Sequence, residues 1–182
     1  MASITPKMGG NAITLLKLWQ AHGGDLSMLS FADALDGRYA EMYEVLFFIR
    51  FEGDVILSSI LGQDLIRREK DKSLGLSAQY LDLFPETEQE KVHALYTAAR
   101  SHGWGIAGTV ERLPAMGSAL IRRSFVSLPV SSEDGVSMFV NVDDDPYVRS
   151  DHIREENLLP QLMQGQTRML EYEYFDPRTC TP

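Results

Sequence analysis

The chain has 182 residues, 44% of them hydrophobic, which is enough for one domain with a substantial core. A formal net charge of −9 disfavours binding to phosphate backbones, so no direct contact with nucleic acid is expected. The apolar runs are only a few residues long, whereas a membrane helix needs about 20, so no membrane insertion is expected. One cysteine, Cys180, excludes a disulfide framework, and with no secretion signal the chain is predicted to be cytoplasmic.

Residues 1–37 are predicted to hold one helix and a connector. Asn11 is a suitable N-cap for a helix that runs to about His22, and Gly23-Gly24 would end it. Its apolar stripe follows helical spacing: Ala12, Leu15, Leu16 and Trp19.

The same helix carries more apolar surface than one contact with a sheet requires. Ile13 and Leu18 lie on either side of the stripe. This excess indicates either further core or a surface for a second subunit, and we expect a homodimer in which this helix takes part.

A β-hairpin is predicted over Val45–Leu61. The apolar runs Val45–Phe51 and Val55–Leu61 flank a short link, Glu52-Gly53-Asp54. The first run alternates with a period of two, which gives one apolar and one mixed face.

The segment after the hairpin is predicted to be helical. A charged piece and several short helices would extend to Phe84 and cover the sheet. A long helix over Thr87–His102 follows, with Thr87 and Glu90 as its capping box and Gly103 as its stop.

Three further strands are predicted: Trp104–Leu113, Ala119–Val130 and Val136–Val142. With the hairpin they make an α+β fold with a five-stranded antiparallel sheet and a helical insert between strands 2 and 3.

The predicted organisation has three parts. Residues 1–37 form the N-terminal helix and connector, residues 38–145 the main domain, and residues 146–182 a C-terminal extension. Within the extension we expect a helix around Ile153–Met163 and a strand at Leu170–Phe175.

This order of elements resembles a PAS domain, and short strings in residues 11–142 resemble a bacterial group of stand-alone PAS proteins. The strings occur in the order typical of that group: Leu15-Leu16-Lys17-Leu18-Trp19 with Gly23-Gly24, Gly62-Gln63-Asp64-Leu65, Leu81 to Pro85, Gly108-Thr109-Val110, and Leu128 to Ser131.

The resemblance implies a sensory or regulatory domain rather than an enzyme. Such domains bind a small ligand or a protein partner and pass the change on through flanking helices. The expected output here is contact with an unknown signalling protein. The resemblance leaves the cofactor unknown. Flavin photochemistry in such domains requires a cysteine within the core helices, and it is excluded because the one cysteine of this sequence is Cys180.

The PAS layout also implies a ligand cavity between the sheet and the helices. Aromatic side chains in these positions are either cavity wall or ordinary core. We expect an apolar or aromatic small molecule, oriented by Tyr80, His93 or the Trp104 indole. The candidate ligand-binding residues are Phe47, Leu57, Tyr80, Phe84, His93, Leu95, Tyr96, Trp104 and Ile106.

Other constellations have ordinary structural explanations. His93 lies where some PAS proteins hold haem, or it is a half-solvated boundary residue. Asp143-Asp144-Asp145 forms either a cation site or, as we favour, a turn of solvated acids. Ser58-Ser59 is interpreted as small residues facing a helix, and Cys180 as part of a frayed tail and a poor catalytic thiol.

Two other functions stay open. One is a small α+β enzyme that acts by acid–base chemistry on a small molecule. The other is an interaction scaffold whose filled core binds no ligand.

Overall fold

The structure is a computed structural model. It describes residues 8–24, 45–60, 78–113, 121–132, 135–143, 148–149, 162–163 and 165–181. The elements are α1 (Gly10–Ala21), β1 (Leu46–Glu52), β2 (Val55–Ile60), β3 (Ala78–Gln79), a 3-10 helix (Tyr80–Leu83), α2 (Glu86–His102), β4 (Gly105–Arg112), β5 (Ile121–Ser132), β6 (Gly135–Asp143), β7 (Val148–Arg149) and β8 (Thr167–Phe175).

The fold is α+β, and its strands pair antiparallel in one sheet. The order is β3-β2-β1-β6-β5-β4-β8, and β7 pairs with β5. All five predicted strands are present. The predicted count of five is nevertheless wrong, because the described residues form eight strands. Most of the predicted helical insert, residues 61–77, lies outside the described part of the chain.

The predicted hairpin is confirmed. Glu52 pairs with Val55, so Gly53 and Asp54 form a two-residue turn. Gly53 has φ +62°, a left-handed conformation that glycine adopts without steric cost.

The sheet is covered on both faces. Leu46 and Phe48 of β1 belong to the core cluster that includes α1. The alternating residues Phe47 and Ile49 contact the cluster that includes α2. Burial on both sides explains why the β1 sequence is almost continuously apolar rather than alternating with polar residues. We call the two sides the α1 face and the α2 face.

Helix α1 lies on the sheet through the predicted stripe, all four residues of which are buried. The indole N–H of Trp19 donates to the carbonyl of Pro129 in β5 at 2.6 Å. The predicted cap is wrong: Gly9 is the N-cap, and Asn11 lies inside the first turn. Sequence preference for Asn at a cap is weak compared with the packing that sets where a helix begins.

Helix α2 departs from the prediction at its N-terminal end and agrees with it at its C-terminal end. It begins at Glu86 after Pro85, without a side-chain cap, so the predicted Thr87 capping box is wrong. Two acids in its first turn, Glu86 and Glu88, suit the positive end of the helix dipole instead. Gly103 ends the helix in the left-handed conformation, as predicted.

Strand β8 joins part of the predicted C-terminal extension to the sheet. It begins at Thr167, three residues before the predicted strand, and pairs with β4 along its length. The close approach requires glycine at position 108, because a Cβ there would lie 2.7 Å from the Glu171 carbonyl oxygen. The predicted helix at 153–163 lies almost entirely outside the described residues.

An ion-pair cluster also holds β8 to the sheet. Glu111 is only 2% exposed and accepts hydrogen bonds from Arg122 at 2.6 Å and Arg168 at 2.8 Å. Burial raises the pKa of Glu111, but the hydrogen bonds and charges of the two arginines outweigh burial and hold that pKa below its ordinary value.

The C-terminal turn is packed rather than frayed, so the prediction that Cys180 lies in a frayed tail is wrong. Cys180 is buried, and Gln20 of α1 donates hydrogen bonds to the carbonyls of Pro177 and Cys180, each at 2.8 Å. Burial raises the pKa of the Cys180 thiol, which disfavours a reactive thiolate. No helix among the described residues has the length and apolarity to cross a bilayer.

Candidate functional site

The candidate site lies between the α2 face of the sheet and helix α2. An apolar cluster lies in this layer and includes side chains from the strands, the 3-10 helix and α2. Its buried members are Ile49, Ile56, Tyr80, Phe84, Val92, Leu95, Tyr96, Ala99, Ile106, Phe125, Phe139 and Met169.

Six of the nine predicted ligand-binding residues meet in this layer. Five are buried there, and the sixth, Phe47, is half-buried and packs against them. The residues brought together are Phe47, Tyr80, Phe84, Leu95, Tyr96 and Ile106. Their convergence follows the predicted geometry, and their role toward a ligand stays a prediction.

Leu57 lies on the other side of the sheet. The register pairs Ile49 with Ser58 and Arg50 with Leu57. Because partners across a ladder share a face, Leu57 points with Arg50 toward the α1 face. The buried Ile56 and Ser58 occupy the inward positions on β2 instead.

His93 and Trp104 also lie away from the centre of the layer. His93 is half-buried, and its Nε2 is 3.1 Å from the Asp54 carbonyl in the hairpin turn. Trp104 stacks on His102 at 4.2 Å between ring centroids and also contacts Tyr174. Neither is therefore placed to orient a molecule beside Tyr96. The described residues contain no group of three or more His, Cys, Asp and Glu side chains arranged for a metal.

A chain of polar side chains crosses the otherwise apolar layer. The Tyr80 and Tyr96 hydroxyls lie 3.4 Å apart, and the Tyr96 hydroxyl lies 3.1 Å from Ser127 Oγ. The Asn141 Oδ1 accepts hydrogen bonds from Ser127 and, at 3.4 Å, from Tyr96. We call these four residues the polar network.

The polar network is anchored to the sheet. Asn141 Nδ2 donates to the carbonyls of Phe139 at 3.3 Å and Phe47 at 3.4 Å, so its amide has a set orientation. Sequence reasoning missed Ser127 and Asn141. The available signal was a single polar residue within an apolar strand run, Val126–Leu128 and Val140–Val142.

The two phenols stay neutral near physiological pH. Burial raises the pKa of Tyr80 well above its ordinary value, and the neighbouring Tyr96 adds to the shift. Burial also raises the pKa of Tyr96 to about 12, although its hydrogen bonds with Ser127 and Tyr80 oppose the shift. Both hydroxyls can thus donate or accept hydrogen bonds, but neither suits a general base.

An ion pair borders the polar network on the same face. Arg123 Nη1 donates to Asp143 Oδ2 at 2.9 Å, and the two side chains are 10% and 11% exposed. The expectation of solvated turn acids is therefore wrong for Asp143. This residue ends β6, and its side chain is mostly buried on the α2 face of the sheet. The other two acids of the run, 144 and 145, lie outside the described residues.

Comparison with known proteins adds little to this picture. No protein-family model matches the chain, and no curated protein does. Among solved structures, the chain is similar to one titled "Structure of RsLOV d2 variant", at 13% identity and a TM-score of 0.46. The similarity covers 66% of this chain and 73% of the other. Likeness at this level assigns no role to any residue of the site.

Proposed function

We propose that the protein is a cytoplasmic sensory or regulatory domain of the PAS type. It binds a small apolar or aromatic molecule between the sheet and α2 and signals through contacts with another protein. The order of elements supports this proposal: a hairpin, a short and a long helix, and then three antiparallel strands, as the resemblance implies.

The polar network is the observation that carries the proposal. Buried hydroxyls and amides cost free energy unless they are hydrogen-bonded. At 3.4 Å, the contact between the Tyr80 and Tyr96 hydroxyls is long for a hydrogen bond between oxygens. A ligand oxygen would give Tyr80 a shorter and stronger hydrogen bond. Apolar walls with a few convergent polar groups are the usual makeup of a small-molecule site.

The same residues indicate the ligand's chemistry. Neutral phenols, a hydroxyl and an amide suit a neutral molecule with a hydroxyl or carbonyl group. The edge-to-face rings of Tyr80, Tyr96 and Phe84 suit an aromatic body.

Replacing Tyr80 with Phe tests this assignment. A thermal-shift screen of neutral aromatic alcohols and ketones would identify molecules that raise the melting temperature of the wild type. For these molecules, Tyr80→Phe is expected to weaken binding about 2- to 10-fold, the effect of one net hydrogen bond. The free protein should lose less than about 1 kcal/mol of stability, since the present contact is long.

The matched control is Tyr172→Phe, which removes the same hydroxyl from an exposed position on β8. Tyr172→Phe should bind each molecule found in the screen with the affinity of the wild type. Equal affinities for wild type and Tyr80→Phe would contradict the assignment of Tyr80.

A scaffold with a filled core is the second candidate. It is favoured by the packing of Tyr96, whose ring meets Tyr80 at 5.5 Å and Phe139 at 5.4 Å edge-to-face. Failure of the screen to find any stabilising molecule would favour it. The raised pKa values of Tyr80 and Tyr96 argue against an enzyme that uses either phenol as its general base.

We also propose a homodimer that uses the exposed side of α1. The buried stripe of α1 is occupied by the sheet, while Ile13 and Leu18 beside it are half-buried. Ile13→Glu is expected to convert a dimer to a monomer, because a charge in an apolar contact costs several kcal/mol. Light scattering measures the mass, and Thr97→Glu, at an exposed position of α2 on the other face of the sheet, is the control. A dimer that survives Ile13→Glu would contradict the proposal.

A further inference from the structure

The outer edge of β8 is a second surface with distinctive chemistry. Strand β8 is an edge strand of the sheet, and among the described residues it pairs with β4 alone. An edge strand presents backbone N–H and C=O groups to which another extended chain can bind.

Side chains along β8 alternate between acid and aromatic. Glu173 pairs with Ala107 of the α1 face, and Tyr174 pairs with Ile106 of the α2 face. The period of two therefore places Glu171 with Glu173 on the α1 face, and Tyr172 with Tyr174 on the α2 face. Of the two rings, Tyr172 is 37% exposed.

The acidic side of this edge borders a groove. It is open, has a volume of about 560 Å³, and lies on the α1 face next to the start of α1. Ala107 and Val126 supply apolar surface, and both glutamates of β8 line it. An extended chain beside β8 would direct every second side chain toward this groove.

One backbone N–H of β8 already binds an acceptor from outside the sheet. Met169 N donates to Glu88 Oε2 of α2 at 3.1 Å. Lys91 of the same helix lies over the Tyr172 ring, with 5.7 Å from Nζ to the centroid. The edge thus donates a hydrogen bond to an oxygen from outside the sheet at one end, and α2 contacts its aromatic side.

We propose that this edge binds an extended, basic segment of a partner protein. The segment adds a strand to β8, with Lys or Arg side chains directed at Glu171 and Glu173 and apolar side chains directed at Tyr172 and Tyr174. Charge selects this occupant over a second copy of the chain. Two antiparallel β8 strands would bring four glutamates together, in a protein of net charge −9. The proposal does not depend on a ligand in the polar network.

Binding of a designed peptide tests the proposal. The probe is a fluorescent peptide in which Lys and Val alternate, and fluorescence anisotropy measures its affinity for the full chain at low ionic strength. Glu171→Gln/Glu173→Gln is expected to weaken binding about fivefold, the effect of two exposed ion pairs. The control, Glu52→Gln/Asp54→Asn, removes two exposed acids at the hairpin turn and should bind as the wild type does.

A second peptide separates strand pairing from charge attraction. It has the same sequence, but every second backbone nitrogen is methylated. The peptide therefore keeps its charge but loses the N–H donors along one of its two edges, the donors that would pair with β8. Its binding should be at least tenfold weaker. Hydrogen exchange should show new protection of residues 170–175 with the unmodified peptide only.

Several results would overturn the proposal. One is equal binding of the two peptides, which would mean charge attraction alone. Another is no binding at all. A third is protection, in the free monomer, of the β8 amides that do not pair with β4, which would mean that the chain itself covers the edge. Protection that grows with protein concentration would assign the edge to a second copy.

Discussion

Replacing Trp19 with alanine is expected to lower the free energy of unfolding by about 3–5 kcal/mol. The side chain is 2% exposed, fixes α1 to the sheet, and donates its indole N–H to the Pro129 carbonyl at 2.6 Å. Its ring also packs directly against the backbone of Gly24, where a Cβ would come within 2.5 Å. Urea unfolding followed by circular dichroism measures the loss.

Trp104 provides the matched control, since it is the chain's other tryptophan and is half-buried in a surface stack with His102. Trp104→Ala should cost much less, about 1 kcal/mol, because truncation there leaves little cavity. Equal losses for the two variants would mean that α1 does not form part of the core.

Replacing Arg123 with methionine is expected to cost about 3–5 kcal/mol, because it removes a charged hydrogen-bond partner of a mostly buried carboxylate. Asp143 is 11% exposed, so water can replace the Arg123 guanidinium only in part. Thermal and urea unfolding both measure the effect.

The double variant Arg123→Met/Asp143→Leu tests the mechanism. It removes both charges and keeps apolar volume, so it should recover at least half of the lost stability. If it is less stable than Arg123→Met alone, the loss arises from the shape of the Arg123 side chain and not from the loss of this ion pair.

Local sequence patterns predicted those elements that are determined by residues close together in the chain. The α1 stripe follows from helical spacing, and the hairpin from two apolar runs around Gly53. Gly103 ends α2 because a left-handed C′ residue is nearly always glycine or asparagine.

Long-range pairing limited the rest of the fold prediction. Strand β8 joins the sheet by pairing with β4, about 60 residues earlier in the chain. On β2 the predicted inward positions were shifted by one residue, which placed Leu57 on the wrong face. A shift of one residue is enough, because successive side chains of a strand point to opposite faces. Cys180 is buried by contacts with α1, which no local pattern near the C-terminus indicates.

The site was predicted in its apolar part and missed in its polar part. Periodicity identifies inward positions, so it found Leu95, Tyr96 and Ile106. Ser127 and Asn141 also occupy inward positions, but most of their partners come from other strands and from α2. A polar residue inside an apolar strand is the general signal for such a network, since burying it requires a partner.

Native mass spectrometry of the whole chain, purified from the cells that produce it, measures whether a small molecule is bound between the sheet and α2. We expect a mass above that of the polypeptide by one small neutral molecule per chain. This molecule should be lost on denaturation, and Tyr80→Phe should reduce its occupancy. A native mass equal to that of the polypeptide alone would contradict ligand binding in the polar network and favour the filled scaffold.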